Sequence, residues 1–234
     1  MSDLAAAFAA AFDLIVSLDA ELMEIVGRSL AISLSAVAIA AVIGLPLGAV
    51  LAVIRFPGRQ FAIIVLNALM GIPPVVVGVV IYLLLSRSGP LGTFGLLFSP
   101  WAMIIAQTCL ITPIVAALSR QIVDDLFAEY RELLKSLGVG PVRAIRTLLW
   151  DGRLSLLTAV LAGFGRAAGE VGAVLIVGGN IDHVTRVMTT AIALETSKGQ
   201  LALAVGLGMI VLLLSIGVNA AAMLTGQAAK RLRS

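Results

Sequence analysis

Charged side chains are scarce in this sequence. Asp, Glu, Lys and Arg make up 12% of its 234 residues, about half the share found in an ordinary soluble protein. Hydrophobic residues make up 60%, and the mean hydropathy is +1.11. A soluble domain of this length could not bury so much apolar surface, so we expect an integral membrane protein.

Cysteine and histidine are nearly absent, with one residue of each type. The single Cys109 excludes a disulfide framework and a cysteine metal cluster, and we expect it to be a small buried hydrophobe. The single His183 has no second histidine or cysteine at metal-ligand spacing, and we expect an ordinary exposed loop residue. Neither residue indicates a metal site.

Signatures of catalysis and of nucleic-acid binding are missing as well. The sequence contains no G-x-x-x-x-G-K-[ST] phosphate loop and no G-x-S-x-G nucleophile elbow. It has no basic surface with interleaved aromatic residues. We therefore predict that the chain is not an enzyme, binds no cofactor itself and has no nucleic-acid partner.

Apolar runs, by contrast, are long. Five windows can cross about 30 Å of hydrocarbon at about 1.5 Å per residue. They predict an all-α membrane protein with a transmembrane domain over 29–224, whose spans lie at 29–53, 61–85, 96–118, 154–177 and 201–224.

The region before the first span, residues 1–28, contains a shorter apolar stretch. Leu4–Leu18 is too short to span a bilayer, contains Asp13 and runs into further acidic residues. We interpret it as an interfacial amphipathic helix on the external side of the membrane. The alternative is a disordered tail.

The basic residues predict the orientation, because cytoplasmic segments are enriched in Lys and Arg. If the loop 119–153 is cytoplasmic, Arg28, Arg87, Arg186 and Lys198 lie outside. The inside then holds Arg55, Arg59, Arg120, Arg131, Lys135, Arg143, Arg146, Arg153, Lys230, Arg231 and Arg233. This places the N-terminus outside and the C-terminus inside, with 225–234 as a basic cytoplasmic tail.

The predicted cytoplasmic loop 119–153 has helical periodicity. Gly138 ends its first helix, and a second short helix follows at about 142–149. The apolar residues on one face of the first helix are Leu126, Phe127, Tyr130, Leu133, Leu134 and Leu137. On the polar side of a membrane, another surface must shield such an apolar face from water. The helix either lies on lipid headgroups or docks into a groove on a cytosolic partner.

The fourth span alone contains charges, Arg166 and Glu170, within "GFGRAAGEVGAVLIVGGN". A charge at the bilayer centre costs roughly 2.5–3.5 kcal/mol, so it indicates a function. In a continuous helix Glu170 would lie about 6 Å beyond Arg166 on the same face. Three roles stay open: an ion-pair network near the pathway that rearranges during transport, which we favour, a buried pair that locks packing, or direct anion binding by Arg166.

Small residues and prolines recur within the spans. Gly165 and Gly169 stand four residues apart, as do Gly44 and Gly48, and with Gly172 they predict close helix packing. We expect some of the prolines to bend or break spans, at Pro46, Pro73, Pro74, Pro100 or Pro113.

Three stretches resemble known permeases. "ELLKSLG", Glu132 to Gly138, resembles the cytoplasmic coupling motif of importer-type ABC permeases, which reads Glu-Ala-Ala, three residues, Gly. Leu133 and Leu134 replace its alanines, and the later Ile-x-Leu-Pro appears without its proline as Leu148-Leu149-Trp150-Asp151. "GRAAGEVGAVLIVGGN" and "TRVMTTAIALETSKG" resemble the tungstate permeases, relatives of the molybdate and sulfate permeases in the MetI-like binding-protein-dependent family.

The resemblance covers nearly the whole chain after about Leu22 and implies a mechanism. It implies a homodimeric five-span permease core in a prokaryotic cytoplasmic membrane, an external oxyanion-binding protein, and two cytosolic ATPase subunits that use ATP and Mg. It assigns ATPase coupling to Tyr130, Glu132, Leu133, Leu134 and Gly138. Tungstate is the favoured substrate, with molybdate or sulfate as alternatives. An ATP-independent transporter or channel and a structural membrane scaffold are the competing classes.

Overall fold

The computed structural model describes the backbone of residues 2–231 and the side chains of residues 6–227. Over this range the chain is helical, with a short 3₁₀ turn at Gly92–Phe94 and no strand. The helices are α1 (Ser2–Val16), α2 (Ala20–Val53), α3 (Arg59–Met70), α4 (Pro74–Leu85), α5 (Pro100–Ser136), α6 (Pro141–Asp151), α7 (Arg153–Ala168), α8 (Gly172–Gly178), α9 (Met188–Lys198) and α10 (Leu201–Arg231). The expectation of an all-α membrane protein is confirmed.

Three helices, α2, α5 and α10, are long and apolar enough to cross a membrane. Two further spans arise if the bent pairs α3–α4 and α6–α7 each count as one, which gives three to five spans in the described chain. Helix α5 passes without interruption from the third predicted window into the predicted cytoplasmic loop and ends at Ser136. The boundary expected near residue 119 is therefore not a helix end.

The prolines differ in their effect on the helices. The second predicted window is broken at Gly71–Pro73, and Pro74 is the first residue of α4. Pro100 likewise begins α5, where a missing N–H costs little. Pro46 and Pro113 lie inside α2 and α5, which continue through them.

The chain divides into two compact units. The first comprises Met1–Ala36, Pro73–Gln107 and Ala167–Gly217. The second comprises Val37–Ile72, Thr108–Arg166 and Val218–Ser234.

The core of the first unit joins α2, α9 and α10. Its central buried residues are Leu22, Ile25, Met188, Ala191 and Leu207. The buried Ser29 hydroxyl donates to the Ile25 carbonyl at 2.8 Å and accepts the Met188 N–H at 2.7 Å. The hydrogen bond from the Met188 N–H to Ser29 satisfies a free N–H at the start of α9 and fixes that helix to α2.

Helix α1 covers most of the predicted interfacial segment Leu4–Leu18. Leu14 and Ile15 pack against the first unit's core, whereas Phe8 and Phe12 are exposed. A helix with packed residues beside exposed apolar residues suits contact with lipid, and its interfacial position stays a prediction. The side chains of residues 1–5, and those of Lys230, Arg231 and Arg233 in the predicted basic tail, lie outside the described residues.

In the second unit, α2 packs closely against α5. A Cβ atom on Gly48 would lie 2.7 Å from Ser119 Cβ and 2.8 Å from Arg120 N, and one on Gly44 would lie 3.1 Å from Val115 Cβ. The Ser119 hydroxyl also donates to a carbonyl of α2. The close packing predicted for this glycine pair is therefore present.

The predicted cytoplasmic hairpin is formed by the end of α5 and by α6. Helix α6 meets α7 at a 75° bend, with Gly152 between them. The buried residues Leu126 and Leu134 of α5 pack with Ala144 and Leu148 of α6. The expectation that lipid or a partner covers the whole apolar face of α5 is wrong for these leucines, because α6 folds back over them.

The single cysteine and the single histidine are both exposed. Cys109 is exposed on α5, so its predicted burial is wrong. His183 is exposed as predicted, and its Nδ1 lies 3.0 Å from a carboxylate oxygen of Glu24.

Candidate functional site

The fourth predicted span is broken at the position of its charges. Helix α7 ends at Ala168 and α8 begins at Gly172, so Glu170 stands in a short non-helical segment. The expectation that Arg166 and Glu170 share one helical face is therefore wrong. Irregular backbone at membrane depth needs hydrogen-bond partners from elsewhere in the protein, because lipid supplies none.

Glu170 is held by hydrogen bonds to its side chain and to its backbone. Only 4% of the residue is exposed, and its carboxylate Oε1 accepts the N–H of Ala173 at 3.2 Å. Its carbonyl oxygen accepts the hydroxyl of Thr189 at 2.8 Å. The carboxylate thus caps the first turn of α8, where a negative charge is favoured by the unpaired N–H groups and the helix dipole.

The chain just before the break is also supported by a buried polar side chain. Gln107 on α5 is 4% exposed, and its Nε2 donates to the Ala167 carbonyl at 3.2 Å. That carbonyl lies in the last turn of α7, where intrahelical partners run out. Within the described residues, the Gln107 Oε1 atom is buried without a partner.

Helix α8 packs tightly against α4 in the first unit. A Cβ on Gly172 would lie 2.8 Å from Val75 Cγ2, and one on Gly78 would lie 2.9 Å from Ala173 Cα. Close packing at Gly172 is therefore present. A Cβ on Gly165 would meet Val218 Cγ1 at 3.9 Å, an ordinary contact that does not require glycine. Gly169 is exposed within the break.

Arg166 lies in the last turn of α7 and is half-buried. A cation at the C-terminal end of a helix interacts favourably with the helix dipole. Its predicted role in the transport pathway stays a prediction.

The predicted coupling residues separate into buried and exposed groups. Leu134 is buried and Tyr130 half-buried within the second unit's core. Glu132, Leu133 and Gly138 are exposed, and Gly138 adopts φ +63°, a left-handed conformation that favours glycine.

An exposed apolar patch remains beside them. Leu133, Leu137 and Val142 are 56%, 67% and 68% exposed, and we call these three residues the hairpin patch. They flank the turn between α5 and α6. Sequence periodicity placed Leu133 and Leu137 on the apolar face but could not separate them from the leucines that α6 covers.

An arginine on α3 ties three helices of the second unit together. Arg59 Nε donates to the Leu51 carbonyl at 2.6 Å, at the end of α2. Its Nη2 lies 3.4 Å from Asp124 Oδ1 on α5, and Asp124 also pairs with Arg120 at 2.6 Å. The guanidinium of Arg59 therefore satisfies a terminal carbonyl of α2 and neutralises the carboxylate of Asp124 on α5. The positive-inside rule counted Arg59 but did not predict this contact.

A second charged cluster lies in the first unit. Arg28 pairs with Glu24 and donates to the Arg186 carbonyl at 3.2 Å. The Arg186 side chain pairs with Asp182 at 2.9 Å. These contacts join the start of α2 to the segment between α8 and α9.

The hydrogen-bonding residues at the break were not found from the sequence. Gln107 and Thr189 lie on other helices, and the charge-based hypothesis for the fourth span named Arg166 and Glu170 alone. An amide inside an apolar window, as Gln107 is, was the available signal, because an uncharged polar group in a span also needs a partner.

Comparison with known proteins defines the class. The family model described as "Binding-protein-dependent transport system inner membrane component" matches residues 44–229. The chain therefore belongs to this family of transport permeases.

Three relatives resemble it over most of its length. The chain is 40% identical over 220 residues to the tungstate uptake system permease protein TupB of Peptoclostridium acidaminophilum, covering 94% of this chain and 96% of the relative. It is 42% identical over 204 residues to a probable anion ABC transporter permease protein of Haloferax volcanii, covering 85% and 88%. It is 32% identical over 182 residues to the sulfate transport system permease protein CysW of Synechocystis, covering 75% and 66%.

Proposed function

We propose that this chain is the membrane permease subunit of an ATP-driven importer for a tetrahedral oxyanion, and that the oxyanion is tungstate. The observation that carries the proposal is the 40% identity to a tungstate uptake permease, which extends over nearly the full length of both chains. The sulfate permease relative is less similar and covers less of either chain, which favours tungstate over sulfate.

The substrate assignment has a direct test. Cells that lack their own high-affinity oxyanion uptake would express the chain with its ATPase and binding protein, and tungsten, molybdenum and sulfur uptake would be measured by elemental mass spectrometry. We expect tungsten accumulation at submicromolar supply with little sulfur uptake. Calorimetry of the binding protein with each anion separates tungstate from molybdate, which have nearly the same size and charge. Sulfate as the tightest ligand would contradict the assignment.

The proposal includes partners that the chain needs. In this proposal, ATP and Mg bind to two cytosolic ATPase subunits, a second copy of the chain completes the pathway, and an external protein delivers the anion. The hairpin patch supports this division, because exposed leucine and valine side chains on a polar loop suit a helix-in-groove contact. Affinity purification of the tagged permease should recover the ATPase. Recovery of a folded permease alone, still active in uptake, would favour an ATP-independent transporter.

The proposed mechanism assigns a role to the broken span. Closure of the ATPase pair moves the α5–α6 hairpins and shifts α7, while the hydrogen bonds of Gln107, Glu170 and Thr189 hold or release the break. We infer that this segment is the element whose two arrangements differ between the inward and outward states. Its equilibrium shifts only as far as ATP and substrate bind the two states with different affinity.

Arg166 and Glu170 have distinct parts in this scheme. Glu170 places a carboxylate at the start of α8, the helix end that would otherwise attract an anion. We infer that Arg166 attracts the oxyanion and that Glu170 moderates this attraction, because conduction needs weak binding.

The proposed orientation places the N-terminus outside and the C-terminus in the cytoplasm of a prokaryotic cell. A reporter fused after Ser234 should be cytoplasmic, and one fused before Met1 should be external. Both reporters on one side would contradict the five-span assignment.

A further inference from the structure

An apolar groove of about 430 Å³ lies on the second unit and is open along one side. Helix α2 contributes Ala41, Val42 and Leu45 to its lining, and α7 contributes Leu156 and Leu157. Among the described residues that line the groove, Arg153 is the one that carries a charge. The volume is in the range of pockets that bind small molecules, about 300–1,000 Å³.

Arg153 presents a cation beside this groove. It is the first residue of α7 and is exposed, and its Nη1 donates to the Trp150 carbonyl at 2.9 Å. Its guanidinium carbon lies 5.0 Å from the centroid of the Trp150 ring. Within the described part of the chain no carboxylate lies within ion-pair distance of Arg153, so most of its five N–H groups remain available.

The position along α7 matches the depth of lipid headgroups. Arg153 and the exposed Trp150 stand where the apolar run of the fourth span begins, and both residue types anchor spans at the membrane interface. Val160, also in the lining, lies about 10 Å deeper along the helix. One end of the groove is therefore cationic and amphipathic, and the rest is apolar.

We propose that this groove binds an anionic glycerophospholipid, with an acyl chain in the groove and the phosphate paired with Arg153. Charge favours lipid over a second copy of the chain, because a protein cover would bury Arg153 and require a carboxylate opposite it. The proposal does not depend on which anion the permease transports, so a failed transport assay leaves it standing.

Fluorescence quenching tests the site, because the chain has only two tryptophans. In the full-length Trp101→Phe variant, Trp150 is the single reporter. The protein is reconstituted in nanodiscs that contain dibrominated phosphatidylglycerol or dibrominated phosphatidylcholine, and quenching gives the relative binding constant. We expect a preference for phosphatidylglycerol of about fivefold, the factor that matches about 1 kcal/mol for one arginine at an anionic surface.

Matched variants separate a site from general surface charge. Arg153→Gln should reduce the preference to about one, and Arg153→Lys should keep most of it. Arg146→Gln removes an exposed charge that does not line the groove, and should keep the fivefold value. Ala41→Phe fills the groove without removing the charge, and should weaken quenching by the anionic lipid.

Three results would overturn the proposal. One is equal quenching by the two lipids in the parent protein. Another is an equal loss of preference in Arg146→Gln and Arg153→Gln. The third is efficient disulfide-linked dimerisation through Val42→Cys in a Cys109→Ser background, which would identify the groove as an interface between copies.

Discussion

The contact between α2 and α5 gives the sharpest stability prediction. In Gly48→Ala, the new Cβ would lie 2.7 Å from Ser119 Cβ and 2.8 Å from the backbone nitrogen of Arg120. Backbone atoms cannot swing aside, so the helices must separate, at the upper end of the overpacking cost, about 3 kcal/mol. The better helix propensity of alanine offsets about 1 kcal/mol. We expect a net loss of about 2 kcal/mol, or about 4–8 °C in Tm for a chain of this size.

The matched control lies in the same helix. A Cβ on Gly27 would meet nothing within 4 Å, so Gly27→Ala should gain about 0.5–1 kcal/mol from helix propensity alone. Both variants are unfolded thermally in the same detergent, with tryptophan fluorescence as the readout. If Gly48→Ala melts at or above the temperature of Gly27→Ala, the inferred packing of α2 on α5 is refuted.

Substitutions at three further positions address coupling, the break and the arginine on α3. Leu133→Asp should reduce substrate-stimulated ATP hydrolysis at least tenfold with little change in Tm, because Leu133 is exposed; undiminished hydrolysis would exclude the hairpin patch as the ATPase contact. Glu170→Gln keeps an acceptor for the Ala173 N–H and should lose uptake with near-native stability, whereas Glu170→Ala should also lose about 1–2 kcal/mol; uptake at the native rate in Glu170→Gln would limit the carboxylate to packing. Arg59→Ala should cost about 1–3 kcal/mol by thermal unfolding, because it leaves Asp124 and a terminal carbonyl of α2 without this partner; an unchanged Tm would refute that contact.

The sequence was informative where a property depends on composition or local pattern. Long apolar runs predicted an all-helical membrane protein. The cost of a charge inside the membrane indicated a function for Arg166 and Glu170. The glycine pair at 44 and 48 predicted a close helix contact, because only small residues let backbones approach so closely.

The remaining features depend on contacts between distant segments. No proline marks the break at Glu170. The carbonyl groups of Ala167 and Glu170 accept hydrogen bonds from Gln107 and Thr189, which lie on other helices. Periodicity found the apolar face of α5 but could not show that α6 covers Leu134 and leaves Leu133 exposed. Local patterns cannot specify such pairings, because they arise only when the helices pack.

ATP-dependent tungstate import by the reconstituted system tests the central proposal most directly. The permease, its ATPase and its binding protein are placed in proteoliposomes with ATP on the ATPase side, and internal tungsten is measured by mass spectrometry. We predict tungsten accumulation that requires ATP, the binding protein and an intact hairpin, and that is lost in Glu132→Arg and in Gly138→Pro. Import at the same rate without ATP, or in both variants, would contradict the proposal that this chain is an ATPase-coupled oxyanion permease.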